Sequence, residues 1–208
     1  MNRLQRSLEQ ADYRVVNMRY PSTKFPIAEL AQKAVSESLQ QCHLSNFLKS
    51  PRAVPPQGQV HFVTHSLGGI LVRQYLSTSP MASLGRVVML GPPNKGSELI
   101  DTLSGLPGFN TFNGPAGAEL GTGELSVPNS LGPANFELGI IAGTQSMNFI
   151  LSSFLPKPND GKVSVESTKI EGMNDHISLP VTHTFMMNNS QVIEQVMIFL
   201  RQGEFQRP

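Results

Sequence analysis

The stretch 58–79, GQVHFVTHSLGGILVRQYLSTS, decides how this chain is read. Residues 59–65, QVHFVTH, are rich in β-branched and aromatic side chains and are bounded by Gly58, which predicts a short strand. That pattern stops at Ser66, and LGGILVRQYLS at 67–77 continues with the spacing of a helix. A serine at such a junction has two readings. As an N-cap it accepts a bond from an orphan backbone N–H and is chemically idle. As a nucleophile it sits on a strained strand-to-helix turn, with small residues two before and two after so that strand and helix approach closely. Gly68 and Gly69 meet that demand on the helix side. A glycine pair at the head of a helix otherwise costs about 1 kcal/mol per residue against alanine, which favours the nucleophile. On the strand side Thr64 is larger and β-branched, a departure from the small residue the turn prefers.

A serine hydroxyl needs a base to take its proton and an acid to orient that base. The sequence offers five histidines. His65 adjoins Ser66, and neighbours along a strand point to opposite faces, so it is a poor base. His61 lies inside the same strand as a packed or edge residue, and His43 lies near a helix end, where a cation suits the dipole. His176 opens the last predicted strand, DHISLPVTH at 175–183, and His183 ends it. Functional groups in a parallel sheet collect at the carboxyl ends of the strands, which selects His183. The same rule selects Asp160, in PKPNDGKVSVES, over Asp175, which opens the last strand at the wrong end of the sheet. Asn-Asp-Gly is also an ordinary turn sequence, so Asp160 has a purely structural reading as well.

Outward from the serine the chain alternates. NRLQRSLEQAD has Leu4 and Leu8 at helical spacing, YRVVNMRY at 13–20 reads as a strand, and PIAELAQKAVSESLQQCHL as a helix with Pro26 in its first turn. The loop SPRAVPPQG leads to the serine strand. Then come the strand GRVVMLG, the turn PPNKG, the helix start SELIDTL, the strand FELGIIAGT, and a short extended piece, DGKVSVEST. NNSQVIEQVMIFLRQG closes the chain as an amphipathic helix with Val192, Val196, Phe199 and Leu200 on one side and Gly203 past its end. This order predicts an α/β fold, a mostly parallel sheet with helices on both faces, in a single domain spanning 1–208. Residues 104–135 break the rhythm. They are rich in glycine and proline with only Glu119 and Glu124 charged, a structureless excursion of a length that is usually functional.

Composition narrows the function. The 208 residues are 39% hydrophobic, enough for one substantial core. The 16 basic and 15 acidic residues are scattered, so no basic stripe exists to track a phosphate backbone and nucleic acid is excluded as a partner. A single Cys42 precludes an internal disulfide framework and a cysteine metal cluster, and no metal site is expected. No apolar run approaches the roughly 18 residues that span a bilayer. The N-terminus lacks the apolar core of a signal peptide, which leaves the cytoplasm as the default expectation.

VTHSLGG, VVMLGPPNKGSEL, PNDGKVSVEST and LPVTHTFMM, in this order, resemble the lipase- and esterase-like α/β-hydrolase superfamily, especially its bacterial members. The similarity runs from Arg14 to the end of the chain. It implies a serine hydrolase of carboxylic esters without a cofactor, acting on a small acyl ester or lipid. Ser66 would be the nucleophile, Asp160 the acid and His183 the base, in the chain order of α/β-hydrolases. The Leu67 backbone N–H would be one oxyanion donor. Phe109 and Phe112, in the excursion, would line an acyl pocket or form a lid. Members of the superfamily carry, before a helix like NRLQRSLEQ, a strand ending in a His-Gly loop that supplies the second oxyanion N–H. This sequence has neither, which reads as an N-terminal truncation. One lost donor typically costs about 2.7–4 kcal/mol in the transition state, so a catalytically silent binding protein is the alternative expectation.

Overall fold

A computed structural model describes residues 1–49, 58–105 and 109–207, without the side chains of 43–49, 109–112, 149 and 151. In chain order its elements are α1 (Asn2–Gln10), α2 (Ile27–Lys49), β1 (Val60–His65), α3 (Leu67–Thr78), β2 (Leu84–Leu90), α4 (Glu98–Leu103), α5 (Phe109–Ala118), α6 (Val127–Ser130), β3 (Leu138–Gly143), α7 (Phe149–Ser153), α8 (Val165–Thr168), β4 (Asp175–Leu179) and α9 (Ser190–Gln202). The four strands form one sheet in the order β1-β2-β3-β4, and every pairing is parallel.

The two faces of the sheet follow from the period-2 alternation of its apolar residues. On one face Val88 and Leu90 of β2 and Ile141 of β3 pack with Leu4 and Leu8 of α1 and with Val192, Val196, Phe199 and Leu200 of α9. On the other, Val87 and Met89 of β2 and Leu138 and Ile140 of β3 pack with Val35 of α2 and Val72 of α3. The predicted parallel sheet with helices on both faces is therefore what forms. The closing helix begins at Asn189, which accepts from the N–H groups of Gln191 and Val192, and ends as expected, with Gly203 stopping α9 in the left-handed conformation.

Four local expectations are corrected. YRVVNMRY is not a strand. A strand needs a ladder partner, and β1, at the sheet edge, pairs only with β2. The run instead bridges the two sides of the molecule, with Tyr13 and Val15 packed on the α1/α9 cluster and Tyr20 on a cluster between α2 and α3. The last strand stops at Leu179, not His183, because Pro180 has no N–H to continue a ladder. DGKVSVEST is a turn followed by the short helix α8, capped by Ser164, which accepts from the Ser167 N–H.

The excursion 104–135 is not structureless. It forms α5, broken at Gly114, and α6, and it buries Ala116 and Leu120 against Ile27, Leu30, Ile70 and Leu71. Polar ties to α2 and α3 help hold it there. Glu119 accepts the Ile27 N–H at 2.7 Å and so caps α2 from a distance of 92 residues in sequence. Arg73 of α3 is buried and donates to the carbonyls of Asn94, Pro128 and Gly132, and to Asn94 Oδ1. Burial lowers its pKa to about 10. Among the described residues no helix is long and apolar enough to cross a membrane.

Candidate active site

Ser66 occupies the turn between β1 and α3 with φ 54° and ψ −126°. For a non-glycine residue this positive φ is strained, at a cost of about 1–3 kcal/mol. A capping serine would have extended dihedrals and an engaged side chain. Ser66 makes no cap bond, and among the described residues its hydroxyl has no hydrogen-bond partner. The Leu67 N–H stands at the first position of α3, where no intrahelical acceptor exists.

The close approach expected of the glycine pair falls on its second member. A Cβ at Gly69 would lie 3.0 Å from Met89 Sδ and 3.1 Å from Pro92 Cβ, whereas one at Gly68 would meet Thr64 Cβ at 3.5 Å, an ordinary contact. Thr64 is accommodated, but among the described residues its Oγ1 is buried without a partner.

Asp160 and His183 are brought into direct contact. His183 Nδ1–H donates to Asp160 Oδ2 at 2.7 Å, and both side chains are buried. The backbone N–H of His183 donates to the Asp160 carbonyl at 3.0 Å, so the two residues are tied twice. Asp160 Oδ1 accepts the N–H groups of Lys162 and Val163 at 2.9 and 2.8 Å. One carboxylate oxygen of Asp160 thus serves the Asn-Asp-Gly turn and the other faces the His183 ring. Asn159 braces the loop by bonding Ser152, Pro156 and Gly161.

The serine and this pair share one corner of the sheet. Ser66 N–H donates to the Leu90 carbonyl at 2.9 Å. At the next residue, Gly91, a Cβ would lie 2.9 Å from Asp160 Oδ2 and 3.2 Å from His183 Nδ1, and φ there is +52°. Only glycine passes beneath the pair without displacing it.

The other titratable candidates are engaged elsewhere. His61 Nδ1 accepts the Arg86 N–H at 2.8 Å in a kink of β1, and burial lowers its pKa. His176 meets Thr168 Oγ1 at 2.9 Å at the far end of β4. Asp175 binds Arg207 and accepts the Phe205 N–H at 2.7 Å, which takes it out of any role with His183. The side chains of His43, Phe109 and Phe112 lie outside the described residues.

His65 is the residue that sequence reasoning passed over. Alternation along a strand holds only while the strand continues, and Ser66 is already in the turn. The His65 ring packs on the His183 ring with centroids 4.7 Å apart, and its Nε2 lies 2.9 Å from the His183 carbonyl oxygen. Burial, and next the neighbouring His183, push its pKa down to about 4. The one available signal is its place beside the serine.

No protein-family model matches the chain, and no curated protein does. Among solved structures it is similar to the mature form of the Bacillus licheniformis lipase BlEst2, with a TM-score of 0.64 and 16% identity over 87% of this chain and 76% of that one. It is also similar to phospholipase PlaB of Legionella pneumophila, with a TM-score of 0.68 and 15% identity over 98% of this chain and 55% of that one. For the metagenomic carboxyl esterase MGS0156 the TM-score is 0.52, with 19% identity over 78% of this chain and 52% of that one. The chain has a lipase- and esterase-like α/β-hydrolase fold.

Proposed function

We propose that this chain hydrolyses carboxylic esters through an acyl-enzyme on Ser66, with His183 as base and Asp160 as the acid that orients it. The observation that carries this reading is a serine held at positive φ with an unspent hydroxyl, at the sheet corner shared with a buried Asp–His pair. The bond from Nδ1–H to Asp160 leaves the Nε2 lone pair of His183 as the basic site. Nε2 takes the Ser66 proton as Oγ attacks the ester carbonyl. The carbonyl oxygen becomes an oxyanion facing the Leu67 N–H, and the alcohol departs with the proton from Nε2. Water then repeats the sequence in reverse to release the acid. Hydrogen bonds of this kind are often open without substrate and tighten in the reacting complex, which accommodates the free Ser66 hydroxyl.

Exposed Met147, Ile150 and Phe185 support a substrate with an apolar acid or lipid portion. Phe185 lies two residues after His183. The segment leading to Met147 is tied by Gln145 N–H to the Val181 carbonyl, beside the same loop.

A fluorophosphonate probe tests the reading. It is expected to label the folded chain at Ser66, and Ser66→Ala is expected to abolish both labelling and hydrolysis of p-nitrophenyl esters. The second reading, a silent binding protein on the same fold, is favoured by the Thr64 hydroxyl beside the turn, buried and unpartnered among the described residues. It is sustained if the folded chain stays unlabelled and hydrolyses esters no faster than Ser66→Ala.

A further inference from the structure

We propose that His65 is a positioning residue for His183: its ring N–H holds the main-chain carbonyl of His183, and its ring packs against the His183 imidazole, so that the base presents Nε2 toward Ser66 while staying on Asp160. The role rests on the ester hydrolase reading, although the contact itself does not.

The geometry admits one direction for the bond. A carbonyl oxygen can only accept, so His65 Nε2 carries the hydrogen across the 2.9 Å to His183 O. With this bond the loop holding His183 is fixed at its N–H and its Nδ1 by Asp160, and at its carbonyl by His65. The second imidazole packs against the ring, with centroids 4.7 Å apart and planes tilted by 47°. Among the described residues, Nε2 alone of the polar atoms of His183 has no hydrogen bond, and that is the atom a base must offer. The tie spans 118 residues and joins the serine strand directly to the loop after β4, so the relative placement of Ser66 and His183 does not depend on the sheet ladder alone.

Electrostatics fit the same role. The charged or titratable groups acting on His65 are His183, Asp160 and Lys162. When His183 takes up the serine proton, a protonated His65 against its ring would oppose it. Burial keeps His65 neutral, so Asp160 is left to compensate a single imidazolium.

Two substitutions in the full chain separate positioning from simple support. His65→Gln keeps an N–H that reaches the carbonyl, whereas His65→Phe keeps a ring and loses the donor. For p-nitrophenyl ester hydrolysis by His65→Phe the expected result is a fall in kcat of about tenfold to a hundredfold, as for a slight misplacement of a reacting group, with KM changed less than about twofold. His65→Gln is expected to recover most of the loss. A readout independent of turnover is the downfield proton resonance of the His183 Nδ1–H bonded to Asp160. It should be sharp in the wild type and in His65→Gln, and lost to exchange in His65→Phe. If His65→Phe does not fold, His65→Met replaces it with the same expectations. An unchanged kcat per folded molecule together with a retained downfield proton overturns the proposal, even if the melting temperature falls. If the wild type is not labelled by fluorophosphonate, the hydrolase reading fails. The proton resonance then still decides whether His65 holds His183.

Discussion

The last strand has a histidine and an aspartate associated with each of its ends, and the two pairs have different fates. At its start, Asp175 and His176 are adjacent in sequence, and the Asp175 carboxylate accepts the backbone N–H of His176 at 2.7 Å but does not meet its ring. Asp175 serves the Phe205 N–H and Arg207, and His176 turns to Thr168. Beyond its end, Asp160 and His183 lie 23 residues apart and bond to each other, out of solvent, beside the serine turn. The residue types are the same. What differs is where their unspent valences point: the first pair fastens the C-terminus to the sheet, and the second leaves one imidazole nitrogen free at the carboxyl edge.

Breaking each pair should therefore have opposite consequences. Asp160→Asn is expected to lower kcat by about 10⁴-fold, because the amide no longer holds His183 in the tautomer that leaves Nε2 basic. Its melting temperature should move far less than its rate, which steady-state kinetics alongside calorimetry will register. Asp175→Ala should do the reverse. It removes the acceptor of the Phe205 and His176 N–H groups, for a loss of about 1–3 kcal/mol in urea unfolding, with kcat per folded molecule unchanged.

A subtler change acts on the space under the Asp160–His183 pair. Gly91→Ala places a methyl group 2.9 Å from Asp160 Oδ2 on a backbone with φ +52°. The left-handed conformation alone costs about 1–2 kcal/mol, and the added methyl must displace the carboxylate or the imidazole. The expected signature is a rate loss larger than this stability loss explains, together with slower fluorophosphonate labelling.

The smallest effect concerns pH. His65 has a pKa of about 4 in the folded chain against 6.5 as a free side chain. Between those values the unfolded chain binds a proton that the native chain does not, so stability rises with pH across the window and is lost as pH falls through it. His61 and His176, both shifted down by burial, act in the same direction. Melting temperature should thus decline from pH 7 to pH 5, and His65→Gln should flatten part of that decline. A decline as steep in His65→Gln would assign the effect to the other two histidines.

Legibility in the sequence followed the range of the interaction. The serine turn, the alternation of β2 and the apolar stripe of α9 are local patterns, since strand and helix periodicities place side chains on faces whatever packs against them. Asp160 and His183 follow from a rule about strand ends, because a parallel sheet collects those ends at one edge, and there the two residues bond to each other. What tertiary structure alone decided is everything that needs a partner distant in sequence. YRVVNMRY has the composition of a strand but no ladder neighbour, so it bridges two apolar clusters instead. Residues 104–135 look structureless because their glycines and prolines hide two short helices. Their placement comes from Ala116 and Leu120 entering the α2/α3 cluster, and from Glu119 and the buried Arg73 tying the segment to α2 and α3. His65 meets His183 across 118 residues, a contact that no periodicity encodes because it exists only once β1 and the loop after β4 reach the same corner. Local sequence sets which face a side chain takes, and the long-range hydrogen bonds and packing that decide what stands on that face appear only when the chain closes on itself.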